Sequence, residues 1–61
     1  MNNIVWRNEV GYAMESPISY RVYFKHMDGI VQCFHLTPEG LEKAKKLLTD
    51  AAEREYRESC V

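Results

Sequence analysis

The sequence predicts an α+β domain: an antiparallel β-meander of two to three strands, followed by one long C-terminal α-helix packed on one sheet face. Three observations predict it. From Ile18 to His26 apolar residues recur at every second position, in the period of a strand. Met27-Asp28-Gly29 interrupts the pattern, which resumes from Ile30 to Leu36. At Thr37-Pro38-Glu39 it gives way to a stretch with helical periodicity.

Residues 1–15 carry the weakest pattern. Ile4 and Trp6 alternate, and so do Val10, Tyr12 and Met14, with Asn8-Glu9 and Gly11 as interruptions. The reading is one bulged strand, or a short arm followed by a strand. Ser16-Pro17 ends it. Proline cannot take the positive φ of the common two-residue hairpin turns, so a wider connection is expected, with Ser16 extended.

In the next segment Ile18, Tyr20, Val22 and Phe24 share one face; Ser19, Arg21, Tyr23 and Lys25 share the other. Aromatic and β-branched residues suit a half-buried pleated surface. Loop length then decides how the two strands combine. A two-residue Asp28-Gly29 turn would set Phe24 beside Cys33 and Val22 beside His35, mixing apolar with polar positions. A three-residue loop with Gly29 in the left-handed region sets His26 opposite Ile30, Phe24 opposite Gln32, Val22 opposite Phe34 and Tyr20 opposite Leu36. That register collects Ile18, Tyr20, Val22, Phe24, Ile30, Phe34 and Leu36 on an apolar face. It leaves Arg21, Tyr23, Lys25, Val31, Cys33 and His35 opposite, and is the register expected.

Thr37-Pro38-Glu39-Gly40 reads as a helix start. The Thr37 hydroxyl can cap, Pro38 suits the first helical position, and Glu39 and Glu42 suit the positive end of the helix dipole. A helix over about 38–57 places Leu41, Ala44, Leu47, Leu48, Ala51, Ala52 and Tyr56 on one side. Glu39–Lys43, Glu42–Lys46, Asp50–Arg54 and Glu53–Arg57 fall at i,i+4 on the solvent side.

Sixty-one residues make a single domain, 1–61, with frayed ends expected near 1–3 and 58–61. A chain this short buries only about 60% of its unfolded surface, so the core is marginal. With apolar Val5, Trp6 and Val31 left outside the hairpin–helix unit, a homodimer is expected. No apolar run is long enough to span a bilayer and no signal sequence is visible, so the expected location is cytoplasmic, with Cys33 and Cys60 as reduced thiols. Charge is balanced along the chain. Arg7, Arg21 and Lys25 offset Glu9, Glu15 and Asp28 in the first part, and the helical part supplies the net charge of −1. No polybasic run points to nucleic acid or anionic membrane.

Catalytic signatures are missing from the sequence. There is no nucleophile elbow, phosphate loop or dinucleotide fingerprint, and Cys33, His35, His26 and Cys60 lack zinc-site spacing. The expectation is a protein with no catalytic, metal or cofactor site. The surface with the most to say is the polar sheet face, where Arg21, Tyr23, Lys25, Val31 and His35 gather residue types enriched at binding hot spots. Trp6, the sole tryptophan, either closes the edge of the core or anchors a partner.

Phe34-His35-Leu36-Thr37-Pro38-Glu39-Gly40-Leu41 resembles the junction of wing strand and final helix in winged-helix regulators, which implies a capping device but no recognition helix. The three-strand-then-helix layout is similar to the arm-type DNA-binding domain of tyrosine recombinases, a resemblance that implies a sheet face reading DNA through Arg21 and Lys25. By size the chain resembles the small accessory products of phages and mobile elements. The expected function is therefore a small non-enzymatic regulatory protein acting by protein–protein contact, with DNA binding through the same sheet face as the alternative.

Overall fold

The computed structural model describes residues 3–59 and contains β1 (Asn3–Asn8), β2 (Gly11–Glu15), β3 (Ser19–Phe24), β4 (Gln32–His35) and α1 (Pro38–Ser59). The strands form one antiparallel sheet in the order β1-β2-β3-β4, and α1 packs across one face. This is the α+β meander-plus-helix architecture that the periodicity predicts, with four strands in the sheet. The added strand comes from residues 1–15, which fold as a hairpin of their own.

Side-chain chemistry closes that first hairpin. Asn8 pairs with Gly11 around Glu9-Val10, and Asn8 Oδ1 accepts from the backbone amides of Val10 (3.0 Å) and Gly11 (3.2 Å). Asn at the first position and Gly at the fourth is the composition of a type I turn. Neither central residue has positive φ. The Asn8 amide also donates to the Leu48 carbonyl at 2.9 Å, tying the turn to the middle of α1.

The β2–β3 connection is tighter than expected. The Ser16 amide bonds to the Ser19 carbonyl at 2.8 Å, so Pro17-Ile18 is a two-residue loop. Both residues keep negative φ, which proline accepts, and the Ser16 hydroxyl adds a second bond to the Ser19 carbonyl. Ser16 is buried and Ile18, at the tip, is 76% exposed.

The β3–β4 register also differs, by two residues. Val22 faces Gln32 and Tyr20 faces Phe34, so the connection runs through Lys25–Val31 rather than three residues. An even shift preserves which residues share a face, so the expected segregation survives. Gly29 does take a positive φ of 81°. The shift leaves Ile30 exposed in the loop, and Leu36 is exposed in the step to the helix.

The core lies between sheet and helix. Val10, Ala13, Val22, Ala44 and Leu48 are buried, with Val5, Trp6, Phe24, Phe34, Leu47, Ala51 and Ala52 packed around them. Ala13 and Ala44 lack side-chain bulk, which lets α1 sit close to the strands. At its start, the amide of Gly40 bonds to Thr37 Oγ1 at 3.0 Å, the expected cap. Helix α1 runs 22 residues, about 33 Å, against strands of 4–6 residues, so it overhangs the sheet. Residues 53–59 are all exposed, and Tyr56, expected on the buried side, is 70% exposed.

Of the ends expected to fray, Asn3 pairs with Glu15, and Glu58 and Ser59 belong to the helix; residues 1–2 and 60–61, Cys60 among them, lie outside the described residues. Among those described, the sole ion pair is Glu42–Lys45 at 4.0 Å, so none of the four i,i+4 pairs closes to contact. Exposed pairs of this kind gain little over their solvated side chains. Among the described residues no helix is long and apolar enough to cross a membrane.

Candidate binding face

Helix α1 covers one face of the sheet and leaves the other open. Residues on the open face follow from the pairing. Arg7, Tyr12 and Tyr23 are successive cross-strand partners on β1, β2 and β3. The next row along runs Ile4, Met14, Arg21 and Cys33 across all four strands. Ser19 and His35 form a third pair.

The middle of the face is aromatic. The Tyr12 and Tyr23 rings stack with centroids 5.0 Å apart and planes 18° apart. Offset stacking of directly opposed residues is a favourable cross-strand contact. Each ring still has one side that the other does not occupy. Beside them lies an open groove of about 710 Å³, lined by Arg7, Tyr12, Tyr23 and Lys25, with Glu9 and Asp28 at the loop tips.

Three cations surround the tyrosines. Arg7 flanks Tyr12, while Arg21 and Lys25 lie two residues to either side of Tyr23. None of the three is paired with a carboxylate among the described residues. The Arg21 stem packs into the face so closely that its Nε is shut off from solvent and has no hydrogen-bond partner. Among strand residues, the one carboxylate in β2–β4 is Glu15, which pairs with Tyr20 on the helix-covered face.

Of the residues singled out in the sequence, Arg21, Tyr23 and His35 are brought together on this face. Lys25 joins them just beyond β3, its amide bonded to the Val10 carbonyl, and Val31 lies just before β4, its amide bonded to the Val22 carbonyl. Trp6 is not with them. It packs against the core on the helix side and lines a separate groove of about 550 Å³ with Thr49, Ala52 and Tyr56. Val5, expected outside the folded unit, also packs on the core.

Arg7, Tyr12, Met14 and Ile4 were missed by sequence reasoning. The register shifts between Ile4 and Trp6, so a bulge at Val5 puts these two residues on opposite faces although both numbers are even. The alternation of Tyr12 and Met14 was visible, but not the strand they would sit beside.

Cys33 is a free, exposed thiol near His35. Among the described residues no group of three or more His, Cys, Asp or Glu side chains is placed to hold a metal ion. Comparison with protein-family models, curated proteins and solved structures finds no match to the chain.

Proposed function

We propose that this chain is a small, non-enzymatic, cytoplasmic accessory protein, of the kind phages and mobile elements encode, that acts by contact through the open face of its sheet. One observation carries the reading: the uncovered face holds the stacked Tyr12–Tyr23 pair ringed by Arg7, Arg21 and Lys25, none of them in an ion pair among the described residues. Half-buried tyrosine and arginine on a rigid surface supply contact area at a low entropic cost. The free thiol at Cys33 suits a reducing compartment.

The sequence puts a protein partner first and DNA second. The gathering of cations on one side, away from the carboxylates of α1, favours an anionic partner and so raises the second reading.

The test uses the tagged chain as bait in an extract of the cell that makes it, with and without nuclease treatment. Arg21→Glu and Tyr23→Ala alter the open face, and Lys46→Glu, on the exposed side of α1, is the control. A component retained by the wild type and by Lys46→Glu, but lost from both face variants at unchanged thermal stability, is the expected outcome. Equal retention by all four would overturn the open face as the contact surface.

A further inference from the structure

We propose that the open sheet face is a platform for single-stranded nucleic acid, with Tyr12 and Tyr23 as the stacking surface and Arg7, Arg21 and Lys25 as phosphate contacts. The proposal rests on the reading that this face is the contact surface, and names the partner.

Tyr12 and Tyr23 are half-buried at the centre of an uncovered sheet, stacked at 5.0 Å, where aromatic area does nothing for the core. Ring faces are what an unpaired base uses, because every base has a π-face whatever its sequence. A duplex keeps its base faces inside its own stack, so the platform suits a single strand better.

Balance along the chain conceals a separation in space. Arg7 lies directly across from Tyr12, and Arg21 and Lys25 lie two residues to either side of Tyr23, so a strand lying over the rings would meet a cation beside each ring. Glu9 and Asp28 stand only at the loop tips, at one end of the groove. The six carboxylates of residues 38–61 all belong to α1, on the opposite side of the sheet.

A second copy of the chain is the simplest competitor for this face, and charge opposes it. Two-fold packing of open face on open face would bring the Arg7, Arg21 and Lys25 of both copies into one interface, with Glu9 and Asp28 at the loop tips as the carboxylates nearest them. Like charges brought together in a desolvated interface oppose association. An anionic polymer meets the opposite condition. The groove beside the rings, about 710 Å³, also falls in the size range of sites that take one small ligand, roughly 300–1,000 Å³.

The test is a fluorescence-anisotropy titration with a labelled, mixed-sequence single strand of about 12 nucleotides. The same sequence as a duplex, and polyglutamate as competitor, are run beside it at low and moderate salt. Expected is micromolar binding of the single strand whose log K falls with log salt at a slope of about −2, from about three phosphate contacts at −0.7 each. Tyr12→Ala and Tyr23→Ala should each weaken binding about tenfold with the slope unchanged, while Tyr23→Phe keeps it. Arg7→Gln should make the slope shallower by about 0.7.

No binding at low salt, binding indifferent to both tyrosine-to-alanine changes, or a duplex bound as tightly as the strand would each overturn the proposal. So would displacement by polyglutamate as effective as by unlabelled strand, which would mark an acidic protein partner. The two levels of the reading fail differently. Retention from extract that depends on the face but survives nuclease removes only nucleic acid, whereas retention indifferent to the face removes the surface itself.

Discussion

Two residues do more for this fold than their size suggests. Asn8 uses both ends of its amide, accepting from two turn amides and donating to the Leu48 carbonyl on α1. Asn8→Ala is expected to cost about 1–3 kcal/mol, because it leaves part-buried backbone groups without partners. Urea denaturation reads this directly, and a midpoint within error of the wild type would show that water replaces all three bonds. Gly40 gives a test of opposite sign to intuition. Alanine inside a helix is normally better than glycine by about 1 kcal/mol. Here a Cβ would run into the His35 carbonyl oxygen, a backbone atom that cannot swing aside. Gly40→Ala should therefore lower the urea midpoint, by about 1–3 kcal/mol in stability. A raised midpoint would mean that the first turn of α1 is not seated on the end of β4.

At the scale of the element, α1 divides into a packed part and an overhang. Gly40, Ala44 and Leu48 are buried one turn apart, and Leu47, Ala51 and Ala52 widen the stripe. Beyond Ala52 nothing on the helix is buried. At concentrations low enough to keep the chain monomeric, Tyr56→Ser should accordingly change stability by no more than about 0.5 kcal/mol, whereas Leu48→Ala should cost about 2–5 kcal/mol. Equal effects in thermal melts would place the end of the helix against the sheet after all. The strands show how far periodicity reaches. Alternation in residues 18–26 and 30–36 was enough to separate Tyr20, Val22 and Phe34 from Arg21, Tyr23 and Cys33. The register was not, because it hung on a loop whose length only the pairing reveals. The tight Pro17-Ile18 turn was misread for another reason: positive φ is the usual route around two residues, but a Ser16 side chain bonded to Ser19 supports a route at negative φ.

The whole molecule is a thin sandwich of one sheet and one helix, and its stability follows from that. Typical values per residue put 61 residues at about 3–9 kcal/mol, so Leu48→Ala alone removes much of the total. Self-association remains our proposal for supplementing so small a core, with the Trp6–Tyr56 groove on the helix side as its place, because the cationic face opposes it. Sedimentation across a dilution series should show a dimer dissociating to monomer, and Tyr56→Ser should shift that dissociation to higher concentration. A monomer at every concentration would remove the dimer and leave Trp6 with a purely intramolecular role.

What the sequence by itself determined is local in origin: the succession of β3, β4 and α1, the Thr37 cap, the stripe on α1, and which neighbours on β3 and β4 share a face. Period 2, period 3.6 and capping chemistry act between residues a few positions apart, so they are written in consecutive letters. The open face is different. Arg7 and Tyr12 join Arg21 and Tyr23 only because a bulge at Val5 reverses the alternation of β1 and because an Asn8 turn folds that strand back beside β2. The cations gather for the same reason, although along the chain each is offset by a carboxylate. Register, bulges and strand neighbours are settled by contacts between residues distant in sequence, and no local pattern encodes them. The tertiary structure decided which residues share the open face that we propose as the contact surface.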